Sequence, residues 1–349
     1  MHYYARDTDK GAFLERSATA RQVSLDVVIV NWNSSNQLGD CLRSLGAARR
    51  RQFVLSQVTV VDNASSDGSL ERAMPVDLPL QAIVNRSNDG FGLACNKGAA
   101  AGQADLLLFL NPDMKVFEDT LDRAVDRLLA LEGQGVGLLG VQLLDEHGAV
   151  HRSCSRFPRP RYEWCRIVGL DRVLPRLGQV MREWDHRDSR EVEHVTAAFL
   201  LLRRTLFESL GGFDTDFFMY LEDVDFSLRA ASLGARSYFA ADIQAFHRGG
   251  GTSIQIEGRR LFYSLLSRST YAIKHFSRPA AFGVVAATLI EIVPRLLMTA
   301  VQRERPGTAG KIIAGYRMYA TMLPHLLGCI LGKRSAHSLA EPLRAARRQ

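Results

Sequence analysis

The chain has 349 residues, of which 46% are hydrophobic and 23% are charged. These proportions are those of a globular protein and exclude a wholly disordered chain, and the length suffices for one large α/β domain with an appendage or for two domains. The net charge is +7, and after Arg295 only Glu304 and Glu341 oppose a run of basic residues. Because this charge lies among apolar stretches and accompanies no nucleic-acid-binding motif, it favours an anionic membrane surface over nucleic acid as the partner.

Residues 1–24 contain many charged side chains and no apolar core. We therefore predict no signal peptide and interpret this segment as a loosely ordered arm. The cysteines, which are odd in number and form no CxxC pair, are expected to be reduced thiols. Both observations predict a cytoplasmic protein.

Apolar strands and helices alternate over the first half of the chain. Continuous apolar runs predict buried strands at 25–30, 58–61, 80–84, 106–110 and 136–143. Helices are predicted at about 35–45, where Ser34 or Ser35 would form the cap, and at 90–102 and 118–131. The alternation predicts an α/β fold with a doubly wound, mostly parallel sheet, in which ligands bind beyond the carboxyl ends of the strands.

The second half is less regular. Residues 150–193 are rich in Arg, Pro and Trp, and we interpret them as a long excursion that contributes to an acceptor site. Strands are expected at 195–202 and 237–246, followed by helices after residue 259. The apolar stretch 279–301 is interrupted by charges and a proline, and its charge-free part is shorter than the ~20 residues that a membrane span needs. It therefore predicts a core or interfacial helix.

Polar residues follow three of the predicted strands. Asn31 and Asn33 follow the first strand, Asp62 and Asn63 follow the second, and Asn111 and Asp113 follow the fourth. Because residues two apart at a strand end point the same way, the last two can face one hard cation such as magnesium or manganese. A strand-ending turn explains the same residues equally well.

An acidic pair, Glu222 and Asp223, follows directly on apolar and aromatic residues. The neighbouring Asp225 is explained by a helix start and by an i, i+4 ion pair with Arg229. These explanations account less well for Glu222 and Asp223, which directly follow residues that favour burial. An apolar wall raises the pKa of a carboxyl group, which suits a general base. We therefore favour a functional role for the pair.

His247 closes the last predicted strand and precedes the glycine-rich segment 248–253. Such a backbone can approach a phosphate closely, and neutral imidazole is a common ligand of transition ions. The residues alone leave open metal ligation, phosphate contact and a structural role.

Six segments together resemble the family 2 glycosyltransferases, especially the rhamnosyltransferase-like bacterial members. In chain order they are VVIVNWN (27–33), VVDNASSDGS (60–69), NRSNDGFGLACNKG (85–98), FLNPDM (109–114), GGFDTDFFMYLEDVDFSLRA (211–230) and HRGGGTS (247–253). The resemblance covers about residues 27–275. It implies a GT-A fold and an inverting transfer from a nucleotide diphosphate sugar, with dTDP-L-rhamnose as the first expectation and a UDP-sugar as the next.

The resemblance also implies roles for individual residues. Asp223 matches the catalytic base, with Glu222 beside it, and Asp113 and His247 match metal-binding positions. The residues expected to bind the nucleotide sugar are Asn31, Asn33, Asp62, Asn88, Gly90, Asn96 and Asn111, of which Asp62 matches the acid that contacts the nucleoside. Asn111 departs from the DxD metal motif by lacking a charge, so weak affinity for the free magnesium or manganese ion is expected.

These inferences predict an arm at 1–24, a GT-A catalytic domain at 25–255, and a helical, basic, membrane-associating region at 256–349. The expected acceptor is a cell-surface or polyprenyl-diphosphate-linked glycan at the inner face of the cell membrane. No feature specifies an oligomeric state.

Two other classes of protein are less consistent with the sequence. A nucleotidyltransferase would need a glycine-rich basic loop after the first strand, where Asn31-Trp32-Asn33 stand. An inactive GT-A scaffold or membrane-bound binding module is disfavoured by the intact acidic and histidine positions.

Overall fold

The structure is a computed structural model that describes residues 22–74, 77–249, 257–301, 307–335 and 337. Nearly all of the predicted arm lies outside the described residues. The same holds for Gly250–Ser253 of the glycine-rich segment and for much of the basic C-terminal end.

Twelve strands occur in the described residues. They are β1 Val23–Asn31, β2 Phe53–Asp62, β3 Leu80–Val84, β4 Leu106–Leu110, β5 Met114–Val116, β6 Val136–Leu144, β7 Val150–His151, β8 Cys154–Ser155, β9 Arg190–Val192, β10 His194–Val195, β11 Phe199–Arg203 and β12 Arg236–His247. Each strand predicted in the first half of the chain is present. The runs of β1, β4 and β6 are apolar enough to be buried on both faces, whereas β3 at the edge of the sheet is only partly buried.

The described part of the chain also contains twelve α-helices. They are α1 Gln37–Ala47, α2 Ser69–Ala73, α3 Phe91–Ala100, α4 Thr120–Leu131, α5 Pro160–Ile167, α6 Leu170–Val173, α7 Arg204–Ser209, α8 Glu222–Ser232, α9 Glu257–His275, α10 Arg278–Ile290, α11 Ile292–Val301 and α12 Thr308–Ile330.

The main sheet has the strand order β3-β2-β1-β4-β11-β6-β12-β5. Strands β1 to β4 pair in parallel, β11 runs antiparallel between β4 and β6, and β12 is parallel to β6. Alternate residues of β1 enter different cores: Leu25, Val27 and Ile29 join one apolar cluster, whereas Val28 and Val30 join the other. The prediction of a mostly parallel α/β sheet with a helical C-terminal region is confirmed.

Two local predictions were wrong. Helix α1 begins at Gln37 after Asn36, with no side-chain cap, because the Ser34 hydroxyl donates a hydrogen bond to Asn31 instead. The strand predicted at 195–202 is divided into β10 and β11. Strand β10 pairs with β8 in a separate small sheet, whereas β11 lies in the main sheet. The break at 196–198 matters for the site described below.

The C-terminal helices pack beside the excursion, which contains α5 and α6. The predicted apolar helix is divided into α10 and α11 at Glu291, which is 4% exposed. Its carboxylate pairs with Arg166 of α5, with Arg268 of α9 and with Arg295. By length and composition alone, the stretch 278–301 is the one in the described ranges that could cross a membrane.

A buried ion pair ties α7 to the start of the sheet and gives a stability prediction. The Arg204 guanidinium lies 2.7 Å from Asp26 and donates to the carbonyls of Ala99 and Ala104. We expect Arg204→Met to lower the free energy of unfolding by about 3–5 kcal/mol, because it leaves a buried carboxylate unpaired. The adjacent Arg203→Met removes only a partly exposed pair with Glu132 and should cost about 1 kcal/mol or less. Urea unfolding of the two variants checks this, and equal losses would contradict it.

Candidate active site

A cavity of about 460 Å³ lies at the carboxyl ends of β1 and β4. This is the edge of a parallel sheet where ligands are expected. Its lining includes most of the residues singled out from the sequence, namely Asn88, Gly90, Asn111, Asp113, Glu222, Asp223 and His247. Candidate acidic and imidazole groups that are far apart in the chain therefore face one space.

Strand pairing brings Asp113 and His247 together. Asp113 precedes β5, and β5 pairs with the end of β12 so that Met114 lies opposite His247. Asp113 Oδ1 is 3.4 Å from His247 Nε2. Two neighbouring ligands of an octahedral ion at about 2.1 Å would lie about 3 Å apart, so this pair fits one divalent cation.

The described residues contain no cluster of three or more candidate metal-binding side chains. Within those ranges, Asp113 and His247 are the pair of side chains that could hold one ion together. His247 Nδ1 is buried and has no hydrogen-bond partner in the described ranges. His151, which the sequence analysis missed, contacts the His247 ring edge-on at a centroid distance of 5.5 Å.

The acidic pair begins helix α8 in an unusual backbone setting. Tyr220 and Leu221 have φ angles of 71° and 65°, in the left-handed region that non-glycine residues rarely occupy. Such conformations persist only where the surrounding structure holds them, and they concentrate at functional sites. Here they precede Glu222 and Asp223, which both line the cavity.

The two carboxyl groups have opposite pKa shifts. Burial, and then the neighbouring charge of Asp223, raise the pKa of Glu222 well above its ordinary value. Burial also raises the pKa of Asp223, but the charge of His194 and the backbone N–H groups of Ala197 and Val224 outweigh it, so the pKa is lowered. The prediction of a raised pKa is confirmed for Glu222 and wrong for Asp223.

His194 is the reason for this difference. Its Nε2 lies 3.2 Å from Asp223 Oδ2, and its Nδ1 lies 3.0 Å from the Ser155 hydroxyl oxygen. The break between β10 and β11 allows Ala197 N to donate to the same Asp223 oxygen at 3.0 Å. At neutral pH Asp223 is therefore ionised and able to accept a proton, whereas the pKa of the neighbouring Glu222 is raised by burial and by the charge of Asp223. Pairs with separated pKa values are typical of acid–base sites.

This pair predicts a pH effect. Asp223 accepts protons only as the carboxylate, so activity should fall as the pH drops through its pKa. Without the imidazole, burial dominates and the pKa rises. In His194→Ala we expect the acidic limb of the kcat/KM profile to move to higher pH, with the exposed His147→Ala as control. An unmoved limb would show that His194 does not set the protonation of the base.

The predicted nucleoside contacts are placed differently. Asp62 accepts hydrogen bonds from Asn31 Nδ2 at 2.6 Å and from Ser65 N and Oγ at 2.9 and 2.6 Å. Asn31 and Asp62 are 0% and 3% exposed, and neither is among the cavity-lining residues described. Asn33 accepts from Ser66 N, and Asn96 binds the backbone of Phe213. The structure does not bring these four side chains to the cavity, and their donor-binding roles stay predictions.

The other three predicted donor-binding residues, Asn88, Gly90 and Asn111, line the cavity. Gly90 has φ 85°, and a Cβ there would come within 2.3 Å of the Phe218 carbonyl oxygen. Glycine therefore allows the start of α3 to contact the segment that precedes α8. The cavity is also lined by Asn63, one of the polar residues expected at the strand ends, and by three residues to which no sequence pattern pointed: Trp32, His194 and Arg260.

Three comparisons bear on this fold and site. Residues 26–146 match the profile described as "Glycosyl transferase family 2". An N-acetylglucosaminyl-diphospho-decaprenol L-rhamnosyltransferase of Mycobacterium tuberculosis is 27% identical over 248 residues, covering 64% of this chain and 75% of that protein. Rhamnosyltransferase WbbL of Escherichia coli is 27% identical over 146 residues, covering 41% and 52%. The mannosyltransferase PcManGT of Pyrobaculum calidifontis, solved with GDP-Man and Mn²⁺, aligns with a TM-score of 0.50 at 20% identity, covering 89% and 87%.

The fold and these similarities together define a nucleotide-sugar-dependent glycosyltransferase with a GT-A fold. More narrowly, residues 26–146 match glycosyltransferase family 2, and the chain is similar to rhamnosyltransferases. The resemblance to this family, the enzyme class and the fold predicted from the sequence are confirmed.

Proposed function

We propose that the enzyme transfers L-rhamnose from dTDP-L-rhamnose, with a UDP-sugar as the next candidate donor, onto a hydroxyl of a lipid-linked or cell-surface glycan. The similarity to two rhamnosyltransferases supports the sugar. One observation carries the chemistry: Asp113, His247 and Asp223 line a single cavity of about 460 Å³. A diphosphate and an attacking hydroxyl can therefore occupy the same space.

In the proposed reaction, Asp223 accepts the proton of the acceptor hydroxyl as that oxygen attacks the anomeric carbon. Its carboxylate is oriented by the N–H of Ala197 and by His194. The raised pKa of the neighbouring Glu222 favours its protonated form, which can donate a hydrogen bond. Asp223, acting as base without an enzyme nucleophile, supports direct displacement with inversion at the anomeric carbon.

Asp113 and His247 would hold a magnesium or manganese ion together with the donor diphosphate. Such an ion supplies positive charge that stabilises the departing diphosphate. Because the uncharged Asn111 stands at the other position of the motif, the two side chains alone should bind the free ion weakly. The diphosphate is expected to bring the ion with it.

We further propose that the catalytic domain spans 25–255 and that the helical region 256–349 holds the enzyme peripherally at the inner face of the cell membrane. The support is the apolar stretch 278–301 and the basic residues that follow it. An acceptor linked to a polyprenyl diphosphate would be presented at that surface.

A donor panel tests the proposed function. The enzyme is mixed with manganese and with dTDP-, UDP- and GDP-sugars, and thermal shifts are measured before transfer assays. We expect the largest shift and the fastest transfer with dTDP-L-rhamnose, and an NMR spectrum of the product should show the inverted anomer. Donor binding without transfer to any lipid-linked or glycan acceptor would instead favour the inactive scaffold or binding module.

A further inference from the structure

A second cavity, of about 750 Å³, lies beside the first. It is enclosed by the segment from α5 to residue 182 on one side and by α9, α11 and the start of α12 on the other. Gln179 lines both cavities. Next to it, Ser155 of the first cavity forms a β-bridge with Val180 of the second. The two spaces therefore share one thin wall.

The second cavity is positively charged at its outer part. Deep in it, Glu163 and Glu291 are paired with Arg166 and Arg268, and these arginines, with burial opposing them, lower the pKa of Glu291 to about 2. Arg172 and Arg182 line the same cavity and are exposed. Arg182 comes only within 4.0 Å of Asp171, so these two guanidinium groups remain accessible to an anion.

Exposed apolar residues flank the same arginines. On the wall formed by the excursion, Val168 lines the cavity and is 73% exposed. Outside the lining but next to Arg172 in the chain, Val173 and Leu174 are 77% and 51% exposed. On the opposite wall, Met298 and Ile312 line the cavity. Large apolar side chains left in water next to each other are typical of binding surfaces. A ligand that matches both features has a strongly anionic group attached to a hydrocarbon chain.

We propose that this second cavity binds the diphosphate and the first isoprene units of a polyprenyl-diphosphate-linked acceptor. The acceptor sugar then passes Gln179 into the first cavity, where its hydroxyl meets Asp223. This inference rests on the proposed function, because it assigns the acceptor of the same reaction to a place in the fold. Arg172 and Arg182 contact the diphosphate, and the exposed apolar residues contact the chain.

The site can be tested without turnover by measuring the binding of farnesyl diphosphate to the full chain by calorimetry. Loss of two charge-assisted contacts should weaken binding in R172E/R182E about tenfold or more. R176E is the matched control, because Arg176 is exposed in the same segment but does not line the cavity, and its affinity should equal that of the wild type. A retained thermal shift with the nucleotide-sugar donor shows that the double variant is folded.

Further probes distinguish the sources of affinity. Inorganic diphosphate and farnesol should each bind at least about tenfold more weakly than farnesyl diphosphate, since each lacks one half of the recognised structure. The site assignment would be overturned by equal binding of the three probes, or by unchanged binding in R172E/R182E. Sedimentation of the wild type with anionic vesicles, but no binding of farnesyl diphosphate, would identify this face as a membrane contact instead and would also overturn it.

Transfer assays separate this inference from the proposed function. If the wild type transfers rhamnose to a farnesyl-diphosphate-linked N-acetylglucosamine, R172E/R182E should show a raised KM for that acceptor, whereas R176E should not. Transfer with an unchanged KM in the double variant contradicts the site while leaving the proposed function intact. Farnesyl diphosphate binding that depends on the two arginines, without transfer of any sugar, supports the site and contradicts the proposed function.

Discussion

Replacement of Asp223 by Asn is expected to lower kcat for transfer by about 10²- to 10⁴-fold while donor binding is retained. The amide keeps the size of the side chain and one oxygen that can accept the N–H of Ala197, so the local backbone should be preserved. It cannot accept the proton of the acceptor hydroxyl. Burial alone would favour the neutral acid, but His194 and the backbone N–H groups of Ala197 and Val224 lower the pKa of Asp223 and keep the wild-type group ionised.

The measurement is steady-state transfer together with a donor thermal shift. Asp126→Asn removes an exposed carboxylate from α4 and serves as the charge control. Burial and the charge of Asp223 raise the pKa of Glu222 and so favour its neutral form, and Gln is neutral and of similar shape. The effect of Glu222→Gln should therefore be smaller than that of Asp223→Asn. Near-normal turnover in Asp223→Asn would remove Asp223 from the role of base.

The central strands could be predicted from the sequence because they are apolar on both faces. Strands β3 and β4 begin and end at the predicted residues, and β4 is buried along its whole length, whereas the edge strand β3 is only partly buried. A continuous run such as that of β4 has few alternative ways of being buried. The proximity of Asp113 and His247 to the ligand-binding edge followed from the same topology, since Asp113 lies shortly after β4 and His247 ends β12.

His194 could not be predicted because its position depends on a break that the apolar pattern hides. The run from Val195 to Leu202 suggests one strand, and nothing in it marks where the chain changes sheets. Only the pairing of β10 with β8 and of β11 with β4 shows the gap at 196–198. The pKa of Asp223 depends on that gap, so burial alone predicted the wrong direction.

The hydrogen bonds of Asp62 were hidden for a different reason. A carboxylate at a strand end can face the ligand or the adjoining turn, and both arrangements need the same residue types. Here Ser65 folds back onto Asp62, and Asn31 approaches it from the neighbouring strand. The second cavity was also hidden, because it needs α5 to pack against α10 and to pair with Glu291, and the sequences of these helices show no pattern that pairs them.

Two variants at the metal motif are expected to shift the ion requirement in opposite directions. Asp113→Ala removes the one anionic ligand from the pair with His247, so transfer at a fixed manganese concentration should fall by about 10²-fold or more. Asn111→Asp adds an anionic ligand at the neighbouring position of the cavity. It should lower the manganese concentration needed for half-maximal rate.

Because Asn111→Asp adds charge without removing any contact to the ion, a gain there cannot arise from general damage to the fold. Manganese-dependent thermal shifts, with and without the nucleoside diphosphate, provide a readout that does not depend on turnover. In the wild type the ion should stabilise the protein mainly when the diphosphate is present, whereas Asn111→Asp should respond to the ion alone. If both variants kept the wild-type manganese dependence, the ion would be held by other groups, and the 3.4 Å approach of Asp113 to His247 would be a structural contact.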